Sequence, residues 1–254
     1  MRKTIILMTM TAALLLTGCR TVQYHLTSVE RTRIPVDSRY DVANPAVDQL
    51  MAPYRATVDE MTKPVVGRTA TYLDAYKPES PLSNLLTDIM VWSGQFYGEK
   101  PDFGVYNIGG MRASLPAGDV TIGDVVNVAP FENKVAFVTL TGAKVKELME
   151  QIASRGGEGV SREVRMVITS DNKLKSVQIG GQDIDPARQY RIATIDYVSK
   201  GNDDMTAFKS GTDVRLPDGD EDLNREIIMR YFREKAQKGE LVNGELDGRI
   251  KVED

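Results

Sequence analysis

The chain has 254 residues, 41% hydrophobic and 27% charged, with 32 Lys and Arg against 36 Asp and Glu for a net charge of −4. This is ordinary globular composition with enough apolar residues for a sizeable core, and a mildly acidic chain without a long basic run is not built to hold a DNA or RNA polymer. A single Cys, Cys19, and a single His, His25, exclude a thiolate zinc site, a disulfide framework, a His-rich metal centre and any nucleophile–His pair that does not use His25 itself.

At the N-terminus, Arg2 and Lys3 precede an apolar stretch over residues 5–16. A basic start and a short hydrophobic segment make a secretory signal, too short to serve comfortably as a permanent membrane span. Leu16-Thr17-Gly18-Cys19 resembles a bacterial lipobox. That resemblance implies cleavage before Cys19 and a diacylglycerol on its thiol. The acyl chains would anchor the protein in the bacterial cell envelope, with the periplasmic face of the outer membrane as the expected location. Residues 1–18 are thus the signal peptide, 19–43 a polar tether and 44–254 a folded domain.

Within 44–61, Val47, Leu50, Met51, Tyr54 and Val58 recur at spacings of three and four, which predicts an amphipathic helix opened by Asn44-Pro45. A strand follows over 65–70. Ser80-Pro81 opens a second helix reaching about Tyr97, with Leu82, Leu85, Leu86, Ile89, Met90 and Phe96 on its buried face. Residues 102–107 read as a strand, and 121–128 as a short helix with a Thr121…Asp124 capping pattern. A strand over 135–140 leads into a helix capped by Thr141 and running to about Ala153. Strands are expected at 164–169, 174–179 and 190–195, the first two joined by a Ser170-Asp171-Asn172-Lys173 turn. A last helix over 222–238 ends at Gly239. Helices and hairpins without regular βαβ alternation predict an α+β domain.

Several short motifs have ordinary readings when taken singly. Asn107-Ile108-Gly109-Gly110-Met111-Arg112 is a glycine turn with an Arg whose fork suits an anion. Phe131, in Pro130-Phe131-Glu132-Asn133, reads as a core anchor for its loop. Asp196-Tyr197 and Gly201-Asn202-Asp203-Asp204 read as a solvated turn. The acidic run 218–222 has Leu223 and Met229 where a calcium loop needs Gly and an acid, so it is the start of a helix. Gly156, Gly157 and Gly159 lack the strand-to-helix context of a dinucleotide fingerprint.

In combination and in order, these segments resemble the C-terminal domain of the bacterial 5′-nucleotidase/UDP-sugar hydrolase family. The resemblance runs through Glu79-Ser80…Asn84-Leu85…Asp88, Asn107 to Arg112, Pro130 to Asn133, Leu140-Thr141-Gly142 and Tyr190…Asp203. It implies a four-layer α/β/β/α fold that recognises the nucleoside of the substrate. Phe131 and Tyr197 would sandwich the base, Asn133 would touch its edge, Asp203 the ribose hydroxyls, and Arg112 the phosphate side. Such pairings are physically sensible, since any base offers a π-face and vicinal hydroxyls suit a carboxylate.

Two departures shape the functional expectation. Tyr72 and Tyr76 stand where the family places phosphate-binding arginines. The family's metallophosphatase domain has no counterpart in the forty or so residues before the helix. The chain is therefore expected to recognise a nucleoside or nucleotide, with no catalytic residue, metal or cofactor of its own. A separate metallophosphatase chain would carry the divalent metals for nucleotide catabolism. The alternative is a non-catalytic nucleoside- or nucleotide-binding envelope lipoprotein.

Overall fold

The computed structural model describes residues 24–41 and 44–254. Cys19, the signal segment and the first part of the tether lie outside them. The chain divides into two units, Met1–Gln49 and Leu50–Asp254. In the first, residues 24–41 are exposed coil around a single 3₁₀ turn, Ser38–Tyr40, capped by Asp37.

Helix α1 (Pro45–Thr62) forms where the 3–4 spacing predicts, but none of its residues is buried. Strand β1 (Val65–Thr69) follows. Helix α2 (Pro81–Ser93) starts at an N-cap Ser80 whose hydroxyl accepts from the Ser83 N–H, and Ser83 returns a bond to the Ser80 backbone. Leu82, Leu85, Leu86, Ile89 and Met90 are buried as expected, whereas Phe96, on a following 3₁₀ turn, remains half-exposed beneath the Arg230 guanidinium. After β2 (Phe103–Tyr106) come β3 (Gly118–Thr121) and α3 (Ile122–Val128), whose Thr121–Asp124 capping box is formed.

Strand β4 (Val135–Thr141) runs straight into α4 (Gly142–Ser154). Thr141 makes no side-chain cap. The first helical N–H groups of α4 instead donate to the carbonyls of Arg188 and Pro186. That close approach requires Gly142, where a Cβ would lie 1.8 Å from the Asp185 carbonyl oxygen. The chain continues through β5 (Gly159–Val160), β6 (Val164–Ile168), β7 (Leu174–Ile179), β8 (Gln182–Asp183) and β9 (Gln189–Ile195). The short helix α5 (Asp196–Ser199), β10 (Thr212–Arg215), α6 (Asn224–Gln237) and β11 (Ile250–Val252) complete it.

The strands form three sheets, ordered β1-β3, β10-β4-β9-β2-β5 and β11-β6-β7-β8. The class is α+β. In the five-stranded sheet β2 is buried along its whole length, as are residues 135–140 of β4 and 192–195 of β9. Strands covered on both faces read as continuous apolar runs, which is why 135–140 alternates so weakly. The second half of α2 lies against β2, and α4 packs on β4, β9 and β7. The two larger sheets are mixed, because β2 pairs parallel with β9 and β11 parallel with β6.

The segment resembling the family's helix-opening signature serves this architecture. Glu79 is buried and accepts from Asn84 Nδ2 at 2.7 Å and from the backbone N–H groups of Asp247, Gly248 and Ile250. Asp88 holds the buried Arg249. Both carboxylates therefore fasten the C-terminal segment to α2.

Candidate nucleoside-binding cleft

Strand pairing explains how residues distant in sequence reach one place. The β4–β9 ladder sets Val135 opposite Ile195, and the next residues outward, Lys134 and Asp196, still exchange a backbone bond at 2.9 Å. The Phe131–Asn133 loop and the Tyr197 turn therefore leave the sheet side by side. Strand β2 runs parallel to β9, so the segment starting at Asn107 emerges at that same edge. The Arg112 N–H donates to the Val128 carbonyl at 2.9 Å, tying the glycine turn to the end of α3 just before Pro130.

Asn107, Gly109, Gly110, Arg112, Phe131, Asn133, Arg155, Tyr197 and Asp203 line a single cleft of about 380 Å³. All five residues expected at a nucleoside site are among them. The ordinary reading of Phe131 as core is wrong, since the residue is 47% exposed and Tyr197 38%. The loop is anchored instead by its backbone, with the Asn133 carbonyl accepting from the Asn224 N–H at 2.8 Å. Nor is the Asp203 turn simply solvated.

Asp203 is held from three sides. Asn107 Nδ2 donates to its Oδ2 at 2.7 Å, Tyr197 Oη donates to Oδ1 at 3.3 Å, and Arg155 Nη2 lies 4.0 Å from Oδ2. Its negative charge pushes the Tyr197 phenol above its ordinary pKa, so the hydroxyl stays protonated and donating. Asp203 and Asp204 both adopt left-handed backbone conformations (φ 52° and 56°), a region that short polar side chains tolerate. Gly110 keeps the turn close to Asn107, where a Cβ would come within 2.9 Å of Asn107 Oδ1. That buried oxygen has no hydrogen-bond partner.

Arg155, Glu158 and Lys77 escaped the sequence reading, and Asn107 entered it only as the start of the glycine motif. Glu158 is fully buried behind the cleft, where it accepts from Arg155 Nε and Lys77 Nζ at 2.8 Å each and from the Ile108 N–H at 2.6 Å. A signal was present in Gly156-Gly157, which closes α4 through bonds to the carbonyls of Ala153 and Ile152 and turns the chain past Arg155. Tyr72 and Tyr76 are exposed and do not line the cleft. Among the described residues, no group of three or more His, Cys, Asp or Glu could hold a metal ion.

A family described as 5′-nucleotidase, C-terminal domain, matches residues 57–210. The chain belongs to that family. Over 238 residues it is 28% identical to the trifunctional nucleotide phosphoesterase protein YfkN of Bacillus subtilis, covering 86% of this chain and 16% of that one. Over 163 residues it is 26% identical to protein UshA of Escherichia coli, covering 63% and 30%. The 5′-nucleotidase precursor of Thermus thermophilus superposes with a TM-score of 0.69 at 25% identity, over 82% of this chain and 43% of that one. The chain thus spans less than half the length of each of these relatives.

Proposed function

We propose that this chain is the nucleoside-recognition unit of a 5′-nucleotidase-type hydrolase acting in nucleotide catabolism. The observation that carries the reading is the pair of half-exposed rings, Phe131 and Tyr197, lining one cleft with a buttressed carboxylate. The rings take the two faces of the base, because stacking on an aromatic side chain needs no particular base identity. Asn133 meets the base edge, Asp203 accepts from the ribose hydroxyls, and Arg112 stands on the side of the 5′-substituent.

The described residues do not fit the divalent metals of phosphoester hydrolysis. Asp203 and Asp204 are engaged by Arg155, Glu158 is enclosed by two cations, and the sequence holds one imidazole. The hydrolytic step belongs, on this reading, to a separately encoded metallophosphatase, with this chain orienting the nucleoside.

Asp203→Asn tests the ribose assignment. It is expected to weaken adenosine binding while leaving 2′,3′-dideoxyadenosine nearly unaffected, since only adenosine offers hydroxyls to the carboxylate. Calorimetric titration of both ligands decides it, and equal losses for the two would contradict the assignment.

The lipobox-like segment supports an anchored protein at the envelope membrane. Cys19→Ala is expected to move the protein from the membrane to the soluble fraction on cell fractionation. Unchanged membrane partition would remove the anchor from the account.

A further inference from the structure

We infer that, resting on the nucleoside reading above, the cleft draws little binding from a 5′-phosphate, because among the described residues it offers that group one uncommitted cation. Three cations and three carboxylates stand in or directly behind the cleft. Lys77 and Arg155 both bond Glu158 at 2.8 Å. Arg155 Nη1 also reaches Asp204 Oδ2 at 3.2 Å, and its Nη2 lies 4.0 Å from Asp203. These two cations are therefore committed to holding the wall in shape. Arg112 is exposed and bonds only the Gly109 carbonyl, at 3.2 Å.

A phosphomonoester carries a charge of about −2 near pH 7 and three strong acceptor oxygens. Transferring it from water to the cleft exchanges a full hydration shell for one guanidinium that remains in solvent. Exposed ion pairs contribute little, and a cleft whose charges balance does not concentrate anions. The neutral ligand, by contrast, loses nothing by the absence of cations, because its base and ribose contacts are complete without them. The expected preference for AMP over adenosine is therefore no more than about fivefold, the equivalent of about 1 kcal/mol.

The test is calorimetric titration of the full chain with adenosine and with AMP, near physiological ionic strength and above the second phosphate pKa. Asp204→Asn is measured alongside. It removes a carboxylate from Arg155 while keeping a residue type that tolerates the left-handed backbone. In the wild type AMP is expected to bind within about fivefold of adenosine. In Asp204→Asn the ratio of AMP to adenosine affinity is expected to rise by roughly two- to fivefold, because one negative charge beside the cleft is removed and Arg155 Nη1 loses its carboxylate while Nε stays on Glu158. AMP binding more than about fivefold tighter in the wild type overturns the inference. So does AMP binding without detectable adenosine binding, or an unchanged ratio in Asp204→Asn. If neither ligand binds, the nucleoside reading itself fails and takes this inference with it.

Discussion

Phe131→Ala and Tyr197→Ala are each expected to weaken adenosine binding by roughly 5- to 150-fold, since a base stacked on an aromatic side chain is worth ~1–3 kcal/mol. Neither truncation should cost much stability. Both residues are substantially exposed, and their loops are held by backbone bonds at Asn133, Lys134 and Asp196. Removing an exposed ring opens no cavity, whereas truncating a core Phe costs about 3–5 kcal/mol. Titration calorimetry paired with thermal melting separates the two cases. Lost binding with an unchanged melting temperature is the expected result. Early melting with normal binding per folded molecule would return both rings to a packing role. Tyr197→Phe keeps the ring and drops only the 3.3 Å bond to Asp203, so it should retain most of the affinity.

Arg249→Ala is expected to destabilise the fold by about 3–5 kcal/mol, the usual cost of breaking a buried ion pair from one side. Arg249 is 3% exposed. Its guanidinium donates to both oxygens of Asp88 (2.8 and 2.9 Å), to Asp247 at 2.9 Å and to the Val160 carbonyl at 2.9 Å. Removal leaves Asp88 with the exposed Arg162 alone, empties the buried site between Asp88, Asp247 and the Val160 carbonyl, and unfastens β11 from α2. The melting temperature should fall by on the order of 10 °C for a chain of this size. Arg162→Ala is the internal control. Arg162 also pairs with Asp88, but its side chain is 68% exposed, and such pairs contribute roughly 0–1 kcal/mol. Equal melting of the two variants would show that burial does not set the strength of this network.

Much of the fold was legible in the sequence, for identifiable reasons. Ser80 with Ser83, and Thr121 with Asp124, are local capping signals that need no tertiary partner. The strands at 135–140 and 190–195 carry enough β-branched and apolar residues to declare themselves. Strands β3, β5, β8, β10 and β11 escaped because they are only two to four residues long. All four residues of β10 are exposed, and its place is fixed by pairing with β4 and by Arg191, which bonds the Asp213 carbonyl. Long-range pairing of that kind leaves no local trace. The exposure of α1 is the converse case, in which periodicity predicted the helix correctly but said nothing of what covers its apolar stripe.

The site divides in the same way. Phe131, Asn133, Tyr197, Asp203 and Arg112 were reachable only through their joint resemblance to a family pattern, because each alone has a commoner explanation. Of the buttress behind them, the sequence marks only the Gly156-Gly157 turn past Arg155. Arg155, Glu158 and Lys77 meet through the packing of the α4 C-terminus against the turn before α2, a juxtaposition that no spacing in the sequence records.

The most direct measurement is a crystal structure of the chain with bound adenosine. The base is expected between the Phe131 and Tyr197 rings, with the ribose hydroxyls within hydrogen-bond distance of Asp203. Adenosine bound elsewhere on the molecule, or seated in this cleft with its base away from both rings, would contradict that placement.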